Sequence, residues 1–293
     1  MLKRVQHDGR VVTDFTRVAA IDWSGAKGRR HKGIAIAACG PGDAPPELIA
    51  PGHVWSRREV LDWLRERAAD SERWLIGMDF SFAPPRMVRG CYLPGEDVPG
   101  DARGFWAYVD AKCADDDLGA ASFLEEHHRR HFYFGAADGK KADFMHFRQC
   151  ELAFNAKGGG KASTVYDAIG AAQVAKASFA GMRLLHHLGD ALAVWPFDEG
   201  PPGQSMLVEI YCRAFIRMGG ARGLKLRTMD DLNAVLARLG SAPAAGAAYS
   251  DHETDVLAAA AGLRQIAADP LYWQPKDMGP EIARTEGWTF GVD

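Results

Sequence analysis

Short apolar runs that alternate with amphipathic segments constrain the fold of this chain more than any other feature. Residues 17–23 and 33–39 are two such runs, joined by a polar segment rich in Gly and Lys, and this pattern predicts a hairpin of two buried strands. A third strand is expected around 53–55 and a fourth at 74–80. Between them, Ser56 is placed to cap a helix. The predicted order is therefore strand, strand, strand, helix, strand.

The second half of the chain continues this mixture of elements. Residues 171–188 have a helical composition, whereas 191–197 and 206–212 are apolar enough to form strands. Further on, Ser250 and Glu253 form the capping-box pattern that opens a long helix. We predict an α/β fold with a mixed sheet flanked by helices.

Composition excludes several classes of protein. The 293 residues carry 35 basic and 38 acidic side chains, so the net charge of −3 argues against a protein that coats nucleic acid or membrane by bulk charge. The five cysteines are widely spaced, which argues against a disulfide framework and favours a reducing compartment. The chain lacks a signal-peptide pattern and any run near the roughly 18 apolar residues of a membrane span. We therefore expect a cytoplasmic protein without a membrane partner.

Three carboxylates stand at the ends of predicted elements. Asp22 ends the first strand, Asp79 ends the strand before the Phe-Ser dipeptide, and Asp255 lies in the first turns of the last long helix. Hard cations prefer oxygen ligands, and two-metal sites stabilise both the attacking and the leaving oxygen of a phosphodiester. If these side chains converge, they form a site for Mg²⁺ or Mn²⁺. The alternative is that each is only a turn or cap residue.

The arrangement of acids resembles the ribonuclease H-like superfamily, and more closely the family catalogued as domain of unknown function 429, whose members are predicted nucleases. The resemblance implies that acids on the first strand, the fourth strand and a late helix meet at one sheet edge and bind metal. It thereby assigns catalytic and metal-binding roles to Asp22, Asp79 and Asp255. His252 shares a helix face with Asp255, and the pair is similar to the acid-or-His-x-x-Asp pattern of Holliday-junction resolvases in this superfamily, which makes His252 a further catalytic candidate.

Other stretches extend the resemblance over most of the chain. They are Arg148-Gln-Cys-Glu151, Gln173-Val, Phe179-Ala-Gly-Met182, Val194-Trp-Pro-Phe-Asp198, Val208-Glu-Ile-Tyr-Cys212 and Glu286-Gly-Trp288. Cys212 departs from the pattern, because proline is expected after the tyrosine. The resemblance implies a single ribonuclease H-like domain over residues 1–293, with a five-stranded mixed sheet flanked by helices and an insertion or lid at about 81–190 that covers the acidic edge.

The predicted insertion is rich in basic and aromatic side chains. Between residues 127 and 183 there are nine Lys or Arg and four Asp or Glu. The interleaved aromatic residues are Phe132, Tyr133, Phe134, Phe144 and Phe147. Such a mixture suits a groove in which bases stack on rings and cations follow phosphates, so a nucleic-acid substrate, DNA or RNA, is expected. An aromatic core with a solvated charged face explains the pattern equally well.

Several single residues are further candidates. Glu209 lies inside an apolar strand and is costly to bury unless it is paired or metal-bound, which makes it a candidate catalytic metal ligand or a partner of Arg148 or Arg213. The alternative is that strand alternation points it to solvent. Arg148 is itself a candidate substrate contact. Lys27, after the first strand, could contact a phosphate, although a solvated loop lysine is the default. Lys161 lies in a Gly-rich stretch that does not complete a P-loop, and it is a candidate in a substrate loop.

Three histidines, His127, His128 and His131, have no Cys or acid at ligand spacing, and we predict that they lie on the surface rather than in a zinc site.

The leading hypothesis for the function is a metal-dependent nuclease. One alternative is a nucleotide-binding phosphotransferase, since Asp22-Trp-Ser-Gly-Ala-Lys27 is similar to the first loop of actin-like ATPases and sugar kinases, although only one copy of the hairpin is visible. Another is a catalytically inactive nucleic-acid-binding module of the same fold.

Overall fold

A six-stranded mixed sheet forms the centre of the molecule. The computed structural model describes residues 15–158, 162–169, 174–198, 204–221, 225–246 and 249–293. The strands are β1 (Arg17–Asp22), β2 (Ala35–Cys39), β3 (Glu47–Leu48), β4 (Trp74–Asp79), β5 (Ala193–Trp195) and β6 (Met206–Glu209). Their spatial order is β3-β2-β1-β4-β6-β5. Strand β2 runs antiparallel to β1 and β3, whereas β1, β4, β6 and β5 are mutually parallel.

The sheet corrects two predictions. Among the described residues it has six strands rather than the five that the resemblance implies, because β5 extends the edge beside β6. The third strand is Glu47–Leu48 and not 53–55. In the predicted region, Trp55 forms only an isolated antiparallel bridge with His31. The remaining predicted strands, and with them the mixed α/β class, are confirmed.

Helices cover both faces of the sheet. Those in the described residues are α1 (Arg57–Ala68), α2 (Ala102–Lys112), α3 (Gln149–Ala156), α4 (Val174–Leu188), α5 (Cys212–Met218), α6 (Met229–Arg238), α7 (Asp251–Ile266), α8 (Pro270–Trp273) and α9 (Pro280–Thr285). Short helical turns occupy Phe123–His127, Arg129–His131, Ala136–Asp138 and Lys141–Phe144. Within the described ranges, no helix is long and apolar enough to cross a membrane.

Alternation along the strands divides the core into two layers. In β1, Ala19 and Ile21 face the layer that contains α1, α2 and α4, whereas Val18 and Ala20 face the layer that contains α5, α6 and α7. Because both faces are covered, the middle of β1 is buried throughout and reads as a continuous apolar run. A polar residue therefore fits most easily where the strand ends, which is where Asp22 lies.

Candidate metal centre and its cleft

Two of the predicted acids lie side by side at one edge of the sheet. Asp22 is the last residue of β1 and Asp79 is the last residue of β4, and these parallel strands pair in a register that places the two residues directly opposite each other. Since parallel strands end at the same edge, both carboxylates leave the core at the same point. The register of β1 and β4 therefore brings two negative charges together.

Helix α7 brings the third acid to this edge. Ser250 caps the helix in a reciprocal capping box with Glu253, as predicted, and this fixes the direction of the first turn. His252 Nδ1 lies 2.6 Å from Asp22 Oδ2, so the helix begins directly over the strand ends. Asp255, one turn further, lies in the same cleft. Four predicted residues thus converge, drawn from two strands and one helix.

The proximity of these carboxylates changes their titration. Burial and the charge of Asp22 raise the pKa of Asp79 to about 8, against the opposing effect of a hydrogen bond from Cys212. Burial and the charge of Asp22 also raise the pKa of Asp255 to about 6, although Arg213 and His252 oppose the shift. Like charges close together disfavour ionisation, and the neighbouring cations do not cancel this effect at Asp79 or Asp255.

The nearby cations offset this charge only in part. The hydrogen bond to Asp22 raises the pKa of His252, which favours the imidazolium beside that carboxylate. Arg213, on α5, places Nη1 3.9 Å from Asp255 Oδ1 and keeps part of its side chain exposed at the rim. Arg213 was predicted only as a possible partner of Glu209, whereas in the structure it pairs with Asp255.

Cys212 stands where the resemblance leads us to expect proline, and its backbone makes a hydrogen bond that proline could not make. Its backbone N–H donates a hydrogen bond of 3.2 Å to Asp79 Oδ2. Proline has no backbone N–H, so a proline at this position could not hold the carboxylate in this way. The thiol itself is buried, and its pKa is raised by burial and by the surrounding carboxylates, so Cys212 orients Asp79 through its main chain rather than acting as a thiolate.

The acids open into a cleft of about 590 Å³, a volume in the range of ligand sites. Its walls include Ser24 and Ser81 beside the acids, together with Tyr211 and Arg213. The mixture of hydroxyl, carboxylate and guanidinium groups is suited to a polar, charged ligand.

The loop after β1 is held from behind by a buried arginine. Arg57, at the start of α1, donates to the carbonyls of Ser24 and Ala26 at 2.9 and 2.7 Å. Gly25 packs so closely on α4 that a Cβ atom would lie 2.2 Å from the backbone nitrogen of Ala177. The chain that follows Asp22 is therefore rigid, which also restrains that carboxylate.

Glu209 takes the alternative role considered for it. The residue is 3% exposed, and its carboxylate accepts from both terminal nitrogens of Arg148, from the Thr289 hydroxyl at 2.6 Å and from the Phe82 backbone N–H at 2.7 Å. Four hydrogen bonds occupy the acceptor sites of both oxygens. The geometry therefore supports a buried ion pair rather than a metal ligand.

Two of the predicted substrate contacts are already paired with acids of the protein. Arg148 is 1% exposed and is paired with Glu209 and Glu151, and it also lines the acidic cleft. Lys27 is exposed and forms an ion pair of 2.9 Å with Glu125. Lys161 lies outside the described residues.

The basic aromatic stretch is also largely neutralised. Phe132 is fully buried, as in the alternative reading of an aromatic core. Of the eight basic residues that the structure describes between 127 and 183, seven form ion pairs with acids; they are Arg129, Arg130, Lys141, Arg148, Lys157, Lys176 and Arg183. Several of these acids, such as Asp110 and Asp293, come from outside the stretch. The local excess of positive charge therefore does not produce a positive groove by itself.

Three neighbouring histidines were predicted to lie on the surface, and the prediction is wrong for two of them. His128 and His131 are 4% and 7% exposed, whereas His127 is exposed as predicted. Glu96 lies beside the two buried rings. The spacing of the histidines was a usable signal, but Glu96 is too distant in the chain for spacing to reveal it.

Comparison of the chain with protein-family models, curated proteins and solved structures found no match.

Proposed function

We propose that this protein is a divalent-metal-dependent nuclease that hydrolyses phosphodiester bonds at the cleft formed by Asp22, Asp79, Asp255 and His252. The observation that carries the proposal is the convergence of three carboxylates at one sheet edge, with the pKa of Asp79 and of Asp255 raised by burial and by mutual repulsion. Acids whose pKa values are raised by burial and by neighbouring negative charges are characteristic of functional sites.

The donor set fits a hard divalent cation. Asp22, Asp79 and Asp255 would hold Mg²⁺ or Mn²⁺ through carboxylate oxygens, the ligands that these ions prefer. The excess negative charge that raises the pKa of the acids is the charge that a cation relieves. When bound, such an ion polarises a phosphoryl oxygen and lowers the pKa of a water molecule.

The protein's own groups supply orientation and proton handling. The Cys212 N–H holds Asp79, and the rigid loop beyond β1 restrains Asp22. His252 holds a proton at Nδ1 against Asp22, so it is placed to exchange protons at the cleft. Arg213 is the cation at the rim that would attract a phosphate.

A ribonuclease H-like fold is part of this proposal. The features in its favour are the antiparallel second strand, the acids at the ends of β1 and β4, and the third acid on the late helix α7. These are the features that the sequence resemblance implies. Cytoplasmic location and a DNA or RNA substrate likewise belong to the proposal.

The loop after Asp22 does not favour the phosphotransferase alternative. Phosphate-binding loops present backbone N–H groups to the ligand. Here the carbonyls of Ser24 and Ala26 point to the Arg57 guanidinium, and Gly25 lies against α4. This packing describes a structural loop beside the acids rather than a cradle for a nucleotide phosphate.

The test compares wild type with Asp22→Asn. Binding of Mn²⁺ is measured by calorimetry, and cleavage is measured on single- and double-stranded DNA and RNA in the same buffer. Asp62→Asn is the matched control, because it makes the same chemical change at an exposed acid of α1 that lies 3.7 Å from Arg65 and does not line the cleft. We expect Asp22→Asn to lose both activities and Asp62→Asn to keep them.

Cleavage that survives in Asp22→Asn overturns the nuclease assignment. Metal binding without cleavage of any of the four substrates by wild type also overturns it, and favours the catalytically inactive binding module.

A further inference from the structure

A second group of metal-ligand side chains lies outside the acidic cleft. Glu96 comes from the loop between β4 and α2, and His128 and His131 come from the turns that follow α2. One ligand atom from each lies within 4.8 Å of the other two. Glu96 Oε1 is 3.8 Å from His128 Nδ1 and 3.3 Å from His131 Nε2. None of the three residues lines the acidic cleft.

His128 points an unpartnered nitrogen into this cluster. The residue is 4% exposed, and its buried Nδ1 has no hydrogen-bond partner. The other ring nitrogen, Nε2, lies 3.0 Å from the hydroxyl of Tyr108. Metal-binding histidines commonly use one nitrogen for the metal and fix the ring through the other.

The side chain of Arg130 already places a positive charge at this cluster. Arg130 donates from Nη2 to Glu96 Oε1 at 2.6 Å and from Nε to His131 Nε2 at 3.3 Å. His131 Nε2 also lies 3.3 Å from Glu96 Oε1; in the tautomer in which this nitrogen accepts from Arg130, the lone pairs of the carboxylate and of the imidazole face a common cation. The Arg130 side chain is 64% exposed, so it can leave for solvent without disturbing the core.

We propose that Glu96, His128 Nδ1 and His131 Nε2 form a Zn²⁺ site. Two imidazole nitrogens and one carboxylate are a common zinc ligand set that leaves a fourth tetrahedral position for water. Imidazole ligands favour Zn²⁺, whereas the all-carboxylate cleft favours Mg²⁺ or Mn²⁺. The metal would join the loop before α2 to the turns after it. This inference is independent of the nuclease proposal.

The test is calorimetric titration of the full-length protein with Zn²⁺ in excess Mg²⁺, which is expected to occupy the acidic cleft. Wild type is expected to bind one equivalent tightly, and Co²⁺ in its place should give the absorption bands of a tetrahedral site. Glu96→Gln and His131→Gln each remove a ligand and should weaken binding by more than about 100-fold, beyond the loss of an outer partner. His127→Gln is the matched control, because that neighbouring ring is exposed, and it should bind as wild type does.

Two further variants separate a metal site from a purely structural cluster. Arg130→Ala removes the competing cation and should tighten Zn²⁺ binding several-fold. Tyr108→Phe removes the outer hydrogen bond and should weaken it about 10- to 100-fold. Glu96 is partly exposed, so Glu96→Gln is expected to fold even if His131→Gln does not; thermal melting in EDTA verifies folding.

Absence of Zn²⁺ binding in wild type overturns the proposal. Unchanged binding in Glu96→Gln, or weaker binding in Arg130→Ala, overturns it as well. Zn²⁺ binding that persists in Asp22→Asn assigns the metal to this cluster, whereas binding lost in that variant assigns it to the acidic cleft and overturns the proposal.

Discussion

Replacing Asp79 by asparagine removes a carboxyl group that resists ionisation in the folded state, and the metal-free protein should become more stable at neutral pH as a result. The side-chain oxygen of asparagine can still accept the hydrogen bond from the Cys212 N–H. The repulsion from Asp22 and the penalty for burying a charge both disappear. The variant therefore tests whether the acids are held together against their own repulsion.

The expected gain follows from the change in pKa between the two states. An unfolded aspartate titrates near pH 3.9, about three pH units below pH 7, and at about 1.36 kcal/mol per unit this sets an upper limit of about 4 kcal/mol. In the folded protein the pKa of Asp79 is about 8. Because the side chain remains partly exposed, solvent screening reduces the effect, and we expect about 2 kcal/mol, or about 4–8 °C in Tm.

The dependence on pH has a definite sign. The folded state binds the Asp79 proton more tightly than the unfolded state does, so the contribution of Asp79 to stability is fully present below about pH 4 and is lost as pH rises towards 8. The difference in free energy of unfolding between Asp79→Asn and wild type should therefore be small at pH 4 and grow up to pH 8. Urea unfolding in EDTA at several pH values measures it.

A matched control and a metal titration complete the experiment. Asp62→Asn changes an exposed acid on α1 that is 3.7 Å from Arg65, and it should alter stability by less than about 0.5 kcal/mol. Saturating Mn²⁺ should stabilise wild type by about 2.7 kcal/mol at 100 times Kd and should stabilise Asp79→Asn much less. Equal stability of wild type and Asp79→Asn at pH 8 in EDTA would refute the electrostatic reasoning.

Three further substitutions test the residues that support the site. Glu209→Gln leaves the buried Arg148 charge undercompensated, so it should lower the free energy of unfolding in urea by about 3–5 kcal/mol. Its affinity for Mn²⁺ should be retained. A loss of metal binding by the folded variant would contradict the structural role of Glu209. Gly25→Ala forces a Cβ against the α4 backbone and should cost about 1–3 kcal/mol or more in thermal unfolding, whereas a neutral result would show that the loop is not packed as described. Asp117→Asn weakens the acceptor for the Arg57 N–H and for His31, 2.9 Å away. Burial opposes the shift, yet these hydrogen bonds keep the pKa of Asp117 low, so wild type should exceed the variant in stability above about pH 4 and lose that advantage as pH falls; a difference independent of pH would count against it.

Much of the fold could be predicted because its signals are local. The hairpin, the strand that ends at Asp79 and the helices capped by Ser56 and Ser250 follow from apolar runs and capping patterns over a few neighbouring residues. The third strand was misplaced because Glu47–Leu48 has only two residues and no apolar pattern of its own. It is a strand only because β2 offers an edge for pairing.

The candidate site divides in the same way. Asp22, Asp79, His252 and Asp255 could be named from the sequence because each occupies the end of a recognisable element. Their contact depends on the register of β1 against β4 and on where α7 begins, and neither is encoded within one segment.

The sequence by itself determined where the strands and capped helices form, and that acids stand at their ends, because hydrophobic periodicity and capping act over a few residues. Only the tertiary structure decided which charges are paired. In the folded protein Glu209 pairs with Arg148, most cations of the basic stretch pair with acids, and Glu96 lies beside His128. The physical reason is that a buried charge requires a partner in space, and folding selects that partner from any part of the chain.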